Sequence, residues 1–216
     1  MITIALSKGR ILGQTLPMLE EVGIRLNDDP KTSRKLIFST NHDDIRCVVI
    51  RATDVPTHVQ FGAADLGFVG KDGLMEHGGE GICELLDLQI SKCRLMTAVH
   101  ADALDRPASQ KRLRVASKYV KLAQQYYQSQ GIQAEIIKLY GAMELAPLVG
   151  LADEIVDLVE TGSTLKANNL VAKDLIANIS CRLVANAASM RVKHAGISDV
   201  VNKLSAVVQN RADQDA

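Results

Sequence analysis

Short apolar runs alternate with segments of helical period along almost the whole chain, and this alternation restricts the fold to the α/β class. "ITIAL" (2–6) is the first strand-like run. Gly9 and Arg10 lead from it into a helix through "ILGQTLPMLEEVG", with Gly23 as its expected stop. "KLIFST" (35–40) and "IRCVVIR" (45–51) flank the polar turn "NHDD" and predict a hairpin. "DLGFVG" (65–70), "ICELLDLQI" and "CRLMTAVH" are further strands.

The alternation pauses at "ALDRPASQ" (103–110), the most loop-like segment in the middle of the chain, and then restarts. "RLRVAS" is a strand, "KYVKLAQQYYQSQG" a helix and "AEIIKLY" a strand. A short helix over "AMELAPLVG", a strand over "EIVDLVE" and a helical turn over "STLKANN" follow. "RLVANAAS" is the last expected strand, and "ISDVVNKLSAVVQN" has the apolar spacing of a closing helix. The restart predicts two lobes. The second lobe, residues 94–182, is inserted into a first lobe made of residues 1–93 plus 183–216. Residues 211–216 are a polar tail.

Composition excludes several classes of function. Lys and Arg number 25, Asp and Glu 25, so no bulk charge draws the chain to nucleic acid or a membrane surface. Aromatics are 3% with no Trp, too few for a stacking platform on single strands. No apolar run is long enough to span a bilayer. "MITIALSKGR" has its apolar residues before its charges, the reverse of a signal peptide. Cys47, Cys83, Cys93 and Cys181 are far apart, without a C-x-x-C pair or clustered histidines. They read as reduced thiols of a cytoplasmic protein, not as disulfides or zinc ligands. "NHDD" could suggest a metal, but a hairpin turn accounts for it. The glycines of "HGGEG" resemble a phosphate loop only loosely, and a turn before a strand suits them better.

The strand "EIVDLVE" runs into Thr161-Gly162-Ser163-Thr164. A glycine turn between a strand and a helix start aims several backbone N–H groups at one point, which favours a phosphate. Gly162 permits close approach of the backbone, and Thr161, Ser163 and Thr164 add hydroxyl donors. No Lys follows the glycine, so this is not a nucleoside-triphosphate P-loop. Upstream acids suit a sugar phosphate, because carboxylates accept from vicinal ribose hydroxyls. Asp157 lies inside "IVDLV", where an unpaired carboxylate is costly. An ordinary strand–turn–helix junction with hydroxyl capping is the plain alternative.

The run from Glu144 reads E-x5-G-x-A-x2-I-x-D-L-x2-T-G-x-T-L, through Gly150, Ala152, Ile155, Asp157, Leu158, Thr161, Gly162, Thr164 and Leu165. Over 22 residues it resembles the signature of the ATP phosphoribosyltransferase family. "ALSKGRI", "RATDVP" (51–56) and "ADLGFVGKD" (64–72) resemble that family's other blocks, in its order.

The resemblance implies two lobes of the periplasmic-binding-protein type, type II-like, with ligands in the cleft between them. It implies transfer of phosphoribosyl from 5-phosphoribosyl diphosphate to N1 of ATP with release of pyrophosphate, the first step of histidine biosynthesis. Glu144, Asp157, Thr161, Gly162, Ser163 and Thr164 would then bind phosphoribosyl diphosphate, in the second lobe. Lys8, Arg10, Arg51 and Lys71 each follow a predicted strand and would bind the polyphosphates of ATP and pyrophosphate. Lys8 and Arg10 are the catalytic candidates. For each cation the competing reading is a solvated surface charge. Asp153, Glu154 and Glu160 stand outside the signature letters and are expected to be solvated. Mg²⁺ is implied as a cofactor carried by substrate phosphates, with no protein ligand assigned.

The length is that of the short form, which lacks the C-terminal regulatory domain of the long form. A homodimer is expected, and a hetero-oligomer with a regulatory subunit resembling histidyl-tRNA synthetase. A non-enzymatic two-lobe binding protein would share the fold but has no need of the signature. A salvage-type phosphoribosyltransferase carries two adjacent acids before its phosphate turn, whereas here Glu160 alone precedes Thr161.

Overall fold

The computed structural model describes residues 1–104 and 112–214. In chain order, β1 (Ile2–Ser7), α1 (Arg10–Glu21), β2 (Ile37–Ser39), β3 (Ile45–Ile50), α2 (Val55–Gln60), β4 (Leu66–Gly70), α3 (Lys71–His77) and β5 (Ile82–Asp87) come first. β6 (Cys93–His100), β7 (Leu113–Ser117), α4 (Val120–Ser129), β8 (Ala134–Lys138), α5 (Leu145–Leu148), β9 (Glu154–Val159), α6 (Ser163–Ala167) and β10 (Leu170–Ile179) follow. β11 (Cys181–Asn186), α7 (Ala187–Val192) and α8 (His194–Gln214) complete the chain. It divides into two compact units, Met1–Ser91 with Ser180–Ala216, and Lys92–Ile179.

The first unit is built on a six-stranded sheet of order β2-β3-β1-β4-β11-β5. β1 is parallel to β3 and β4, while β11 runs antiparallel to β4 and β5. Every residue of β1 and β4 is buried, so both faces of the sheet centre are covered. That is why these strands read as near-continuous apolar runs. On one face Leu12, Met18 and Leu19 of α1 pack with Ile197, Val200 and Leu204 of α8 around Ile4, Leu6 and Phe68. On the other, Val55 and Val59 of α2 and Leu74 of α3 pack with Ala5, Val69 and Val184. Gly67 has no Cβ for a physical reason: one would lie 2.7 Å from Val59 and 2.8 Å from Val55.

The second unit holds a five-stranded sheet of order β10-β6-β9-β7-β8. β7 is parallel to β8 and β9, and β6 pairs antiparallel with β9 and β10. Its core joins Met96, Ala98, Ala116, Met143, Ile155, Val159 and Leu165. Ser7 at the end of β1 and Ser117 at the end of β7 play the same part in their sheets. Each is fully buried and donates its hydroxyl at 2.7 Å to a carbonyl of a neighbouring strand, Phe68 or Val156.

Four elements have no counterpart in the sequence expectations: α2, α3, α7 and the ten-residue strand β10. Of the expected loop 103–110, residues 105–110 lie outside the described residues, as does the end of the tail, 215–216. All four cysteines are free thiols. Among the described residues no helix is long and apolar enough to cross a membrane.

Candidate functional site

The parallel register of the first unit gathers three of the four expected cations at one sheet edge. Ser7 pairs with Ile50, and Leu6 with Phe68, so β1, β3 and β4 end at the same level. Lys8 follows β1, Arg51 follows β3 and Lys71 follows β4. The Lys8 amide donates to the Ile50 carbonyl at 2.8 Å, which fixes the backbone of Lys8 beside Arg51. Lys8, Arg10 and Arg51 are exposed. Gly9, at φ 92°, turns the chain out of β1 so that Arg10 opens α1. A guanidinium nitrogen of Arg10 lies 3.4 Å from the Ser91 carbonyl. Such an edge of an open α/β sheet is where ligands bind, because strand ends and helix starts turn their donors outward there.

Lys71 is not a plain surface charge. Its ammonium is 2.5 Å from Glu84 of β5, and both side chains are less than a third exposed. Nothing local in the sequence marked that pairing, because it depends on how β4, β11 and β5 are ordered in the sheet.

In the second unit Glu144 comes after β8 and the hydroxyl candidates directly follow β9, while Asp157 lies within β9. Asp157 is half-buried on β9, and a carboxylate oxygen accepts the Leu158 amide at 2.8 Å. Gly162 adopts the left-handed conformation, φ 78° and ψ 4°, as the residue that caps α6. A side chain there would be strained. The Thr161 hydroxyl lies 3.0 Å from that of Ser163 and 3.3 Å from the Ser163 amide. Thr161, Ser163 and Thr164 are exposed. α6 has only five residues, so its dipole is small and the anion donors are the amides and hydroxyls of the turn. Glu144 is half-buried at the start of α5. Its neighbour Met143 packs in the same core as Val159 and Leu165, which flank the turn.

Several signature letters are structural. Gly150 has φ 72°. Ala152, Ile155 and Leu165 are core residues. Glu154 corrects an expectation: it is not solvated but 12% exposed, held by the Tyr127 hydroxyl at 2.5 Å and by Lys173 at 3.3 Å. Asp153 is half-open to solvent and pairs with Arg114. "NHDD" forms the turn between β2 and β3. Gly78, Gly79 and Gly81 all take positive φ, and Gly78 caps α3. Among the described residues no three His, Cys, Asp or Glu side chains gather as a metal cage.

Two mixed α/β units, each built on its own sheet, define a fold of the periplasmic-binding-protein type, type II-like. The GluR0 ligand-binding core solved with L-glutamate has the same fold, with a TM-score of 0.60 over 99% of this chain and 95% of that one, at 12% identity. Closer similarities fix the family. The family model described as "HisG: ATP phosphoribosyltransferase" matches residues 51–206. A Marinobacter nauticus ATP phosphoribosyltransferase is 61% identical over 212 residues, 98% of either chain. An ATP phosphoribosyl transferase (HisG:HisZ) complex from Thermotoga maritima contains a chain that superposes with a TM-score of 0.85 at 33% identity, covering 97% of this chain and all of that one. The chain belongs to the ATP phosphoribosyltransferase family.

Proposed function

We propose that this chain transfers the phosphoribosyl group of 5-phosphoribosyl diphosphate to N1 of ATP, releasing pyrophosphate, as the first step of histidine biosynthesis. The observation that carries the reading is the family signature laid onto a built turn. Thr161, Gly162, Ser163 and Thr164 offer amides and hydroxyls to a 5-phosphate, with Asp157 on β9, the strand that leads into the turn, for the ribose hydroxyls. Glu144 joins Asp157 in that role. N1 of adenine is a weak neutral nucleophile, so the departing pyrophosphate must be stabilised as its C–O bond breaks. Lys8 and Arg10 are the catalytic candidates for that task. Together with Arg51 and Lys71 they bind the polyphosphates of ATP and of the product.

Mg²⁺ fits this site as an ion carried on substrate phosphates, since Mg²⁺ keeps its waters and seldom needs an all-protein cage. When bound it neutralises phosphate charge. In this reading the unit Lys92–Ile179 is the one that holds phosphoribosyl diphosphate.

The protein acts in the cytoplasm as a homodimer that associates with a regulatory subunit resembling histidyl-tRNA synthetase. A relative solved as a HisG:HisZ complex supports the association. Incubation of phosphoribosyl diphosphate and Mg²⁺ with ATP and a free purine base in competition, followed by mass analysis of the products, tests the reaction. A phosphoribosyl adduct of ATP is expected. An adduct of a free purine base in its place would assign the chain to salvage chemistry. The isolated chain should be insensitive to histidine, and the partner should confer inhibition. Strong inhibition of the chain alone would overturn the regulatory part.

A further inference from the structure

Lys71 belongs to a chain of alternating charges. Oε2 of Glu84 faces the Lys71 ammonium at 2.5 Å, and Oε1 of Glu84 faces Arg182 at 3.2 Å. The other end of the Arg182 guanidinium is 3.0 Å from Asp87. Asp87 is fixed in turn by the Ser180 hydroxyl at 2.8 Å and the Gln89 amide at 3.0 Å. Glu84 is therefore held from its far side and cannot swing away from Lys71 without breaking its bond to Arg182.

An irregularity in the sheet builds this arrangement. Arg182 pairs with Asp87 and Leu183 with Leu86, but Val184 pairs with Glu84, so β5 carries one extra residue there. In a regular strand residues three apart face opposite sides. The bulge turns Glu84 and Asp87 to the same side, where both meet Arg182. As a stabilising device the network is weak, because partly exposed ion pairs contribute little. Its electrical effect is larger. Two cations and two carboxylates cancel, so Lys71 presents a polyanion with far less attraction than a lone ammonium would.

We infer that Glu84 is a positioning residue that holds Lys71 at the sheet edge and limits its pull on bound polyphosphate. The inference rests on the reading of Lys71 as a polyphosphate ligand. Pyrophosphate must leave for turnover, and a neutralised Lys71 lets it go.

Calorimetric titration of pyrophosphate with Mg²⁺ into the whole chain tests this. Glu84→Gln keeps the shape and removes the charge. It should tighten pyrophosphate binding by about three- to tenfold, the effect of uncovering one nearby charge in a partly screened site, and the gain should fall with added salt. Lys71→Met on top of Glu84→Gln should erase the gain. Unchanged or weaker binding in a folded Glu84→Gln variant overturns the inference, as does a gain that survives the second substitution. If Glu84→Gln does not fold, Arg182→Gln replaces it. That change leaves Glu84 to Lys71 alone and should weaken pyrophosphate binding, and unchanged or tighter binding there is equally fatal. Lys71→Met by itself separates the two levels. If it leaves pyrophosphate affinity unchanged, Lys71 is no ligand and both readings fall. If it weakens binding while Glu84→Gln fails to tighten it, the role of Glu84 alone is wrong.

Discussion

Lys193 places its ammonium 2.8 Å from each carboxylate oxygen of Asp65. Asp65 is 3% exposed at the entry to β4 and also accepts the Thr3 amide at 2.8 Å and the Ser189 hydroxyl at 2.6 Å. Burial pushes this carboxyl up, but Lys193, Ser189 and Thr3 together outweigh it and hold it below its ordinary 3.8. The pair ties β1 and β4 to the segment between α7 and α8.

Lys193→Met leaves a buried carboxylate without its cation and should cost about 1–3 kcal/mol at pH 7, less than a wholly buried pair because Lys193 is partly exposed. A carboxyl with a depressed folded pKa stabilises the fold above its unfolded value and loses that stabilisation as pH falls through the folded value. The gap between wild type and variant should therefore close below pH 3.8. Urea denaturation at several pH values measures it. A constant gap would mean that the lysine stem, and not the charge pair, carries the effect.

Gly67→Ala should destabilise by about 1–3 kcal/mol, because the new methyl group overlaps Val55 and Val59 in a packed core. Thermal melting checks this. A Val59→Ala change in the same chain should recover part of the loss by making room.

Burial pushes the thiols of Cys47 and Cys181 up to about 12, and in Cys181 the nearby Asp72 and Asp87 add to it. Thiolate is the reactive form. A thiol reagent at pH 8 should therefore label Cys83 and Cys93 first, and Cys47 and Cys181 only on unfolding. Peptide mapping after brief labelling reads the order. Early modification of Cys47 would show that the core around β3 opens readily.

Asp157→Ala and Thr161→Ala should weaken phosphoribosyl diphosphate binding by about tenfold or more and ATP binding much less, since losing a charged or buried hydrogen-bond partner costs about 1.5–3 kcal/mol. Titration of each ligand into each variant decides it. Equal losses for both ligands would make the turn structural, or place ATP there.

The parts of the fold visible in the sequence are those where one local pattern decides the structure. β1 and β4 read directly because both faces are buried and every residue is apolar or small. β10 did not. It is an edge strand with Lys173 and Asn178 exposed and Asp174 only half-buried, and two irregularities break its register with β6. Its alternation is too weak to count as a strand pattern. α2 and α3 span six and seven residues, too short for a periodic signal. They exist because Val55, Val59 and Leu74 find a core. At the candidate site, the strand-end rule foresaw that Lys8, Arg51 and Lys71 follow strands. The partners of Lys71 were out of reach, because Glu84 and Arg182 meet it only through strand order and a bulge.

Arg10 offers the sharpest test of the proposed chemistry. It opens α1 directly after the turn at Gly9, and its guanidinium carries a planar fork suited to a diphosphate. Charge develops on the leaving pyrophosphate as the C–O bond breaks, so a donor aimed there gains strength in the transition state beyond what it has in the bound substrate. Arg10→Ala should then lower the single-turnover rate by about 10²- to 10³-fold, the usual loss for one such donor. Substrate dissociation constants should change by only about threefold, because ground-state binding is shared among several cations. Arg10→Lys should recover part of the rate, since it keeps the charge and loses the fork. Rapid-quench measurement at saturating substrates separates the chemical step from product release. A single-turnover rate equal to wild type in Arg10→Ala would remove Arg10 from the chemistry and leave it a structural part at the start of α1.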